Sequence, residues 1–175
     1  FVANLVFSAL QMAGGFIGLQ IGFSLANVLD PLYSQSVSIL DQLYTVLAGL
    51  IFLAIDGHHM LILAIQQTLD LVPIGTLTMS GPMINQLITL TGGVFVAALR
   101  IALPIMASLL LADIALGLMS RTLPQMNVFI VGMPVKLFVG FFVLLVTLPS
   151  ASSLAGDMFR STFVDLQNLF KLSAA

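Results

Sequence analysis

The feature that most constrains this chain is the length of its uncharged apolar stretches. Residues 1–29, 71–99 and 137–156 contain no Asp, Glu, Lys or Arg. A helix that crosses a bilayer needs about 20 predominantly apolar residues, so each stretch is long enough for one crossing. Because Leu, Ile and Val recur without strict alternation, the pattern favours helices over the strands of a membrane barrel. The sequence therefore predicts an all-α protein of the membrane class.

The charge content excludes several other classes. Only 7% of the 175 residues are charged, as seven Asp, three Arg and two Lys. Soluble domains carry about 25% charged residues, so a free soluble domain, a disordered chain and a coiled coil are excluded. The net charge of −2, without any basic run, excludes nucleic-acid binding through charge. There is no cysteine, and therefore no disulfide or thiol chemistry.

Glycine and proline interrupt the apolar stretches, which predicts kinked helices. Irregular backbone at membrane depth survives only where protein or a water-filled cavity covers it. The pattern therefore favours helical hairpins packed in an assembly over a simple bundle in lipid. The interrupting residues are Gly14, Gly15, Gly18 and Gly22, then Pro73, Gly75, Gly81, Pro82, Gly92 and Gly93, and finally Pro104, Pro124, Pro134 and Pro149.

Five helical segments are predicted, at about residues 1–29, 39–71, 83–120, 128–148 and 152–172, with a loop over residues 30–37. The second begins at a capping box from Ser38 to Asp41 and bends at Asp56-Gly57, and the third kinks at Pro104. The last is amphipathic, which predicts that it lies at an interface or docks on a partner. Its apolar face comprises Phe159, Phe163, Leu166 and Phe170, and its polar side Asp157, Arg160, Asp165, Asn168 and Lys171.

Small and polar residues form a seam along the first segment. Two interpretations remain open: packing within the chain, and a contact face for sister subunits. Small residues let helix backbones approach closely, and the length of the seam favours the subunit contact. The seam comprises Asn4, Ser8, Gln11, Gly15, Gly18 and Gly22, and an overlapping ladder comprises Gly14, Gly18, Gly22 and Ala26.

Two polar groups lie within apolar surroundings. Asp56, His58 and His59 suggest a metal site, but adjacent helical side chains diverge by about 100°, so a polar kink with the imidazoles bonded to neighbouring helices is favoured. Asp113 needs a partner, water or a proton, because neither Arg100 nor Arg121 is its i,i+3 or i,i+4 neighbour. A proton relay and a buried structural bond both remain open for Asp113.

The Lys and Arg residues are confined to the C-terminal part of the chain, because the first of them is Arg100. The positive-inside rule therefore predicts that the turn between Arg121 and Lys136 lies on the cytoplasmic side.

Four stretches carry a family resemblance: "GGFIGLQIGFSLANVLDP" from Gly14, "LIFLAIDGHHMLILAI" from Leu50, "LVPIG" from Leu71, and "DIALGLMSRTLPQMNVFIVGMPVKLFVG" from Asp113. They resemble the flagellar biosynthetic protein FliR family and its injectisome homologues, over almost the whole chain. The resemblance implies that the family's N-terminal helical portion is absent from this sequence.

The resemblance also implies a role. Members are non-enzymatic, cofactor-free subunits of the type III secretion export gate, in the bacterial inner membrane at the flagellar basal body. With FliP-like and FliQ-like subunits, and with an FlhB-like protein associated, they form a conduit for unfolded export substrates, and the assembled complex lies largely outside the ordinary bilayer plane. A secondary transporter that uses Asp113 or Asp56 is the less favoured alternative, and an intramembrane hydrolase lacks its motifs.

The resemblance finally implies a division of the chain and a set of sites. Residues 1–99 are expected to form a FliP-like part with a plug-like loop, residues 100–148 a FliQ-like hairpin, and residues 149–175 the amphipathic C-terminal helix. The channel plug or gate is expected at Phe23, Asn27, Asp30, Pro31 and Tyr33, and the cytoplasmic hairpin tip at Arg121, Pro124, Gln125 and Lys136.

Overall fold

The structure, a computed structural model, describes residues 1–22, 39–71, 80–123 and 127–173. Within these ranges the secondary structure is helical apart from turns and helix ends, with no strand, which confirms the all-α prediction. The helices are α1 (Val2–Ile21), α2 (Ile39–Ala54), α3 (Gly57–Leu71), α4 (Gly81–Thr122) and α5 (Val128–Ser173). Three helices, α1, α4 and most of α5, are long and apolar enough to cross a membrane, and α2 with α3 qualifies as one bent pair.

The first helix ends earlier than predicted. Gly22 adopts a left-handed conformation with φ 101°, and its N–H donates to the carbonyl oxygens of Gly18 and Leu19, both at 3.2 Å. Glycine takes this conformation without the penalty that a Cβ imposes, so it closes α1 at Ile21. The segment predicted over residues 1–29, with a kink near its glycines, is therefore interrupted at Gly22, and residues 23–29 lie outside the described residues.

The predicted bend at Asp56-Gly57 is confirmed. The axes of α2 and α3 differ by 69°, and Asp56 takes a positive φ of 56°. Asp tolerates this region because its short polar side chain can hydrogen-bond locally. Gly57 is buried against the ring of Phe52, which leaves no space for a side chain at that position.

The C-terminal third forms one helix where two were predicted. α5 is continuous over 46 residues and passes through Pro134 and Pro149. Proline removes one backbone N–H and disfavours a helix interior, but Leu144, Ala151 and Ala155 pack into the same core on both sides of Pro149. This packing holds the two predicted segments, 128–148 and 152–172, in a single helix.

α1 lies at the centre of the helical body, which comprises α1, α2 and residues 83–109 and 140–169 of α4 and α5. Its buried face contacts α2, α4 and α5. The rings of Phe7, Phe52 and Phe159 form a three-way cluster with centroids 5.2–5.6 Å apart. Apolar residues of α1 recur in this face at helical spacing, at Val6, Leu10, Ala13, Ile17 and Ile21.

Beyond the end of α1, α4 and α5 continue as a distal hairpin, defined as residues 114–122 and 128–135. Leu116 packs against the buried Gly132 between the two helices. Among the described residues of this region, the large apolar side chains are otherwise exposed. They are Ile114, Leu118, Met119, Leu123, Ile130, Val131, Met133 and Val135, counting Leu123 directly after α4.

Candidate functional site: a polar node between three helices

A charged pair joins the two long helices at the boundary between the helical body and the distal hairpin. Lys136 Nζ of α5 lies 2.9 Å from Asp113 Oδ1 and donates to Asp113 Oδ2 of α4 at 3.0 Å. The Lys136 side chain is 21% exposed and that of Asp113 42% exposed. Within the described ranges this is the one ion pair, and it supplies the partner that the sequence required for Asp113.

Gln20 adds a third helix to the pair. Its Nε2 donates to Asp113 Oδ2 at 3.3 Å, across 93 positions of the sequence. Gln20 is the second-last residue of α1, so the amide connects the end of the central helix to the hairpin. We call Gln20, Asp113 and Lys136 the polar node.

The hairpin register explains why these residues meet. Asp113 lies nine residues before the end of α4 at Thr122, and Lys136 lies eight residues after the start of α5 at Val128. Two antiparallel helices joined by a short connection bring such equidistant positions together. The same register brings Leu109 near Gly140 and Leu116 near Gly132. The nearly equal distances of Asp113 and Lys136 from the turn could have predicted this pair from the sequence. Nothing comparable pointed to Gln20, which is a single amide side chain in an uncharged helix.

The node neutralises the ionisable groups of this part of the hairpin. A lone Asp or Lys among apolar helices is costly, because an isolated charge loses its hydration there. Paired within 3 Å, the two form a neutral unit, and the Gln20 amide supplies one more donor to the carboxylate. Both carboxylate oxygens of Asp113 are thus engaged, so the arrangement suits a structural tie better than a free proton-binding group.

Two glycines of the predicted seam are buried within the chain. A Cβ at Gly14 would lie 2.7 Å from Leu40 O and 2.9 Å from Asp41 Cα, so the absence of a side chain at this glycine lets α1 and α2 approach closely. Gly18 is also buried, and Gly22 forms the C-cap of α1. At Gly14 the packing interpretation is therefore the one that the structure supports. A contact between subunits remains a prediction for the other edge of the seam.

That other edge borders an open groove along α1. The groove has a volume of about 400 Å³ and is lined by Ser8, Gln11, Gly15 and Leu19, together with Met12, Phe16 and Asp41. Gln11 and Asn4 are exposed, and a Cβ at Gly15 would lie 3.4 Å from Asp41 Oδ1. The groove is consequently the part of the seam that a neighbouring helix can still reach.

The expected plug and much of the expected tip lie outside the described residues. This applies to Phe23, Asn27, Asp30, Pro31 and Tyr33, and to Pro124 and Gln125. Arg121 is exposed in the last turn of α4, where a cation favourably meets the negative end of the helix dipole. Lys136 lies two turns into α5 in the polar node, away from the turn itself.

The histidines at the bend lie on the surface of the described structure. Asp56, His58 and His59 are exposed, and neither imidazole hydrogen-bonds to another described residue. The expected bonds from the imidazoles to neighbouring helices are therefore not formed within the described part of the chain, because the bend turns these side chains outward. Among the described residues there is no group of three or more His, Asp or Glu that could hold a metal ion.

The amphipathic character of the last segment is confirmed where its side chains are described. Phe159 and Phe163 are buried at 1% and 8% exposure, and Phe159 belongs to the aromatic cluster. Asp157, Arg160 and Asn168 are exposed. The apolar face is thus occupied by the chain's own core.

Fold and node together define a helical membrane-type protein, built on a long helical hairpin in which Asp113 and Lys136 form an ion pair. The profile of the family described as "Bacterial export proteins, family 1" matches residues 1–162, so the chain belongs to that family.

Similar proteins include three named flagellar biosynthetic protein FliR. That of Bacillus subtilis (strain 168) is 32% identical over 98% of this chain and 67% of its own length. The proteins of Pectobacterium carotovorum and Escherichia coli (strain K12) are 33% and 32% identical, over 91% and 93% of this chain. The chain spans 61% and 62% of the length of those last two relatives.

Proposed function

We propose that the protein is a structural, non-enzymatic subunit of the flagellar type III export gate. It packs with FliP-like and FliQ-like subunits, with an FlhB-like protein associated, around the passage of unfolded export substrates in the inner membrane. The family match over residues 1–162 carries this proposal. The similar proteins cited above are flagellar by name, which favours a flagellar over an injectisome setting.

The dimensions of the two long helices support a role within an assembly. α4 has 42 residues and α5 has 46, which correspond to about 63 Å and 69 Å of helix. A bilayer core is about 30 Å thick, so lipid alone covers only about half of such a hairpin. Exposed side chains such as Ile88, Phe95, Leu110 and Phe142 are distributed along it, and those beyond the bilayer require cover by other subunits.

The experiment is co-expression of the tagged protein with its FliP-like and FliQ-like subunits, followed by the mass of the intact complex from membranes. We expect both partners to co-purify in fixed ratio, and export of flagellar substrates to stop when the gene is deleted. A chain that purifies alone as a single monodisperse species, in cells that make both partners, contradicts the proposal.

The plug assignment is tested separately. Deletion of residues 30–36 is expected to leave the complex intact and to make the closed channel leak small ions. Conductance across the cell membrane is the measurement, with an equally long deletion near the C-terminal end as the control. Unchanged conductance in an assembled complex removes the plug assignment.

A further inference from the structure

We propose that α2 and α3 form a two-position arm, which is bent at Asp56-Gly57 in this structure and straightens into one helix over residues 39–71. The switch between the positions is a change of backbone conformation at Asp56, from the left-handed to the right-handed helical region. The arm is a property of the chain's own fold, so this inference does not rest on the proposed gate function.

The backbone departs from helical geometry at Asp56. The N–H of Ile55 still donates to Ile51 O at 3.0 Å, which is the i to i−4 bond of an α-helix. Asp56 then takes a φ of 56°, the one positive φ outside glycine among the described residues. A non-glycine residue in this region is costly and persists only where the surrounding structure imposes it. A return of Asp56 to the right-handed region therefore relieves that cost.

The bend also leaves two backbone N–H groups without a described acceptor. Among the described residues, no hydrogen bond is donated by the N–H of Gly57 or by that of His58. In a continuous helix these groups donate to the carbonyl oxygens four residues earlier, which are those of Leu53 and Ala54. Gly57 is buried, where an unpaired N–H is unfavourable. Straightening thus supplies two backbone hydrogen bonds.

Phe52 holds the arm in the bent position. A Cβ at Gly57 would overlap the ring of Phe52 and would lie 2.9 Å from Phe52 O, so the ring directly covers this glycine. The ring is itself fixed, because its centroid lies 5.6 Å from that of Phe7 and 5.4 Å from that of Phe159. The two positions therefore exchange a close aromatic contact for backbone hydrogen bonds and an unstrained Asp56.

α3 can change position because it contributes little to the core. No described side chain of α3 is buried, and its main contacts outside α2 are with α5. Its large apolar side chains Ile62, Leu63 and Ile65 are 44–62% exposed. Leu53 and Asp56 are exposed as well, so the bend lies at the surface of the described structure. Segments with few buried apolar contacts move at low cost in free energy.

Straightening changes the surroundings of the apolar side chains of α3. In the bent position α3 lies against α5, whereas in the straight position it continues the axis of α2 away from that contact. The sequence supports the straight position, because its pattern predicts a single helical segment over residues 39–71, and α2 and α3 together are long and apolar enough for one membrane span. An element with two packings of similar free energy is the basis of a conformational switch.

The test is a distance measurement by double electron–electron resonance on the full-length protein, purified from membranes with whatever subunits it retains. This chain has no cysteine, so Gln42→Cys and Gln66→Cys, both at exposed positions, introduce a pair of spin labels. The two positions are about 36 Å apart in a straight helix and about 30 Å apart across the 69° bend. An unsubstituted preparation, labelled in the same way, gives the background.

Glycine substitutions should shift the ratio of straight to bent molecules. We expect Gly57→Ala to raise this ratio at least about fivefold, because alanine is the better helix former and its Cβ meets the Phe52 ring in the bent position. Gly49→Ala is the matched control within α2, because nothing lies within 4 Å of its added Cβ, and the ratio should stay at the wild-type level. Combined with Gly57→Ala, Asp56→Gly should lower the ratio about fivefold, since glycine adopts the left-handed conformation without penalty.

An unchanged bent distance in Gly57→Ala would overturn the two-position arm, and so would a broad distribution without a peak at the straight distance. If Gly57→Ala fails to accumulate, Asp56→Ala decides, because position 56 is exposed and alanine strongly favours the right-handed region. A single peak at the bent distance in that variant contradicts the proposal. The readout does not depend on which subunits co-purify, so its failure is distinct from failure of the proposed gate function.

Discussion

The helical body and the distal hairpin are made of similar residues but solve different packing problems. Of an apolar 18-residue stretch of α1, 44% is buried, against 17% of such a stretch of α5, the helix that contributes one side of the distal hairpin. In the body, α1 is surrounded by three other helices, whereas among the described residues the distal hairpin has only its own two helices. Hydrophobicity alone therefore does not indicate which apolar surface is buried within the chain and which the chain leaves exposed.

The polar node stands at the boundary between these two regions. Gln20 belongs to the end of the body, and Asp113 and Lys136 directly adjoin the two ends of the distal hairpin. Its hydrogen bonds have fixed partners, whereas apolar contacts can slide, so the node sets the register of the hairpin against α1. The contrast between the regions predicts that equivalent substitutions will have unequal consequences.

The largest difference is expected for phenylalanine truncation. Phe159→Ala removes the buried ring shared by Phe7 and Phe52, and should lower the free energy of unfolding by about 3–5 kcal/mol. Phe142→Ala, at a ring that is 59% exposed, should change it by less than about 0.5 kcal/mol. Denaturation of both variants in detergent measures the difference. Equal losses would show that the α5 surface is buried in the isolated chain.

A second comparison concerns glycine. Gly14→Ala places a methyl group 2.7 Å from Leu40 O, and should separate α1 from α2 at a cost of about 1–3 kcal/mol. Gly92→Ala is the matched control, because nothing lies within 4 Å of its added Cβ, and helix propensity predicts a gain of up to about 1 kcal/mol. Thermal unfolding of the two variants gives both signs. A neutral Gly14→Ala would mean that α1 and α2 do not approach closely.

Sequence alone predicted those features of the fold that depend on local chemistry. Apolar run lengths predicted the helical class, and the Asp-Gly pair predicted the bend, because both depend on local chemistry. The continuity of α5 through Pro149 was missed, because packing on both sides of the proline compensates for its local preference. The end of α1 at Gly22 was also missed. The apolar pattern continues past this residue, and the pattern alone does not show which glycine adopts the left-handed conformation that ends a helix.

The node was half predictable. The need of Asp113 for a partner follows from its apolar surroundings alone. That Lys136 is the partner of Asp113 depends on the position of the hairpin turn. That Gln20 also contacts Asp113 depends on where α1 ends. Both are tertiary facts that local patterns do not contain, whereas the intrachain role of Gly14 required the position of α2.

The node itself predicts an intermediate effect. Asp113→Asn leaves Lys136 without its counter-charge, and should cost about 1–3 kcal/mol, below the range for fully buried pairs because both side chains are partly exposed. The double variant with Lys136→Met should recover part of that loss, since no charge then remains uncompensated. A double-mutant cycle on unfolding in detergent measures the coupling. Additive losses would show that the pair makes no energetic contribution to joining the regions.

The smallest effect on the chain, and the most informative for the comparison, is expected on the distal hairpin. Leu118→Ser and Ile130→Ser replace side chains that are 62% and 68% exposed, so unfolding of the isolated chain should change by less than about 0.5 kcal/mol. If partner subunits cover this surface, each substitution removes apolar contact area and should reduce the amount of FliP-like or FliQ-like subunit retained on purification.

Leu116→Ser provides the opposite control, because Leu116 is 9% exposed and packs against Gly132 within the hairpin. It should destabilise the chain itself as well as the complex. If lipid rather than partner subunits covers the distal hairpin, Leu118→Ser and Ile130→Ser should have a different outcome. Membrane insertion should become poorer, and the amount of partner subunit retained should not change. That result would assign the distal hairpin to the bilayer, and the need for neighbouring subunits would then rest on the parts of α4 and α5 that extend beyond it.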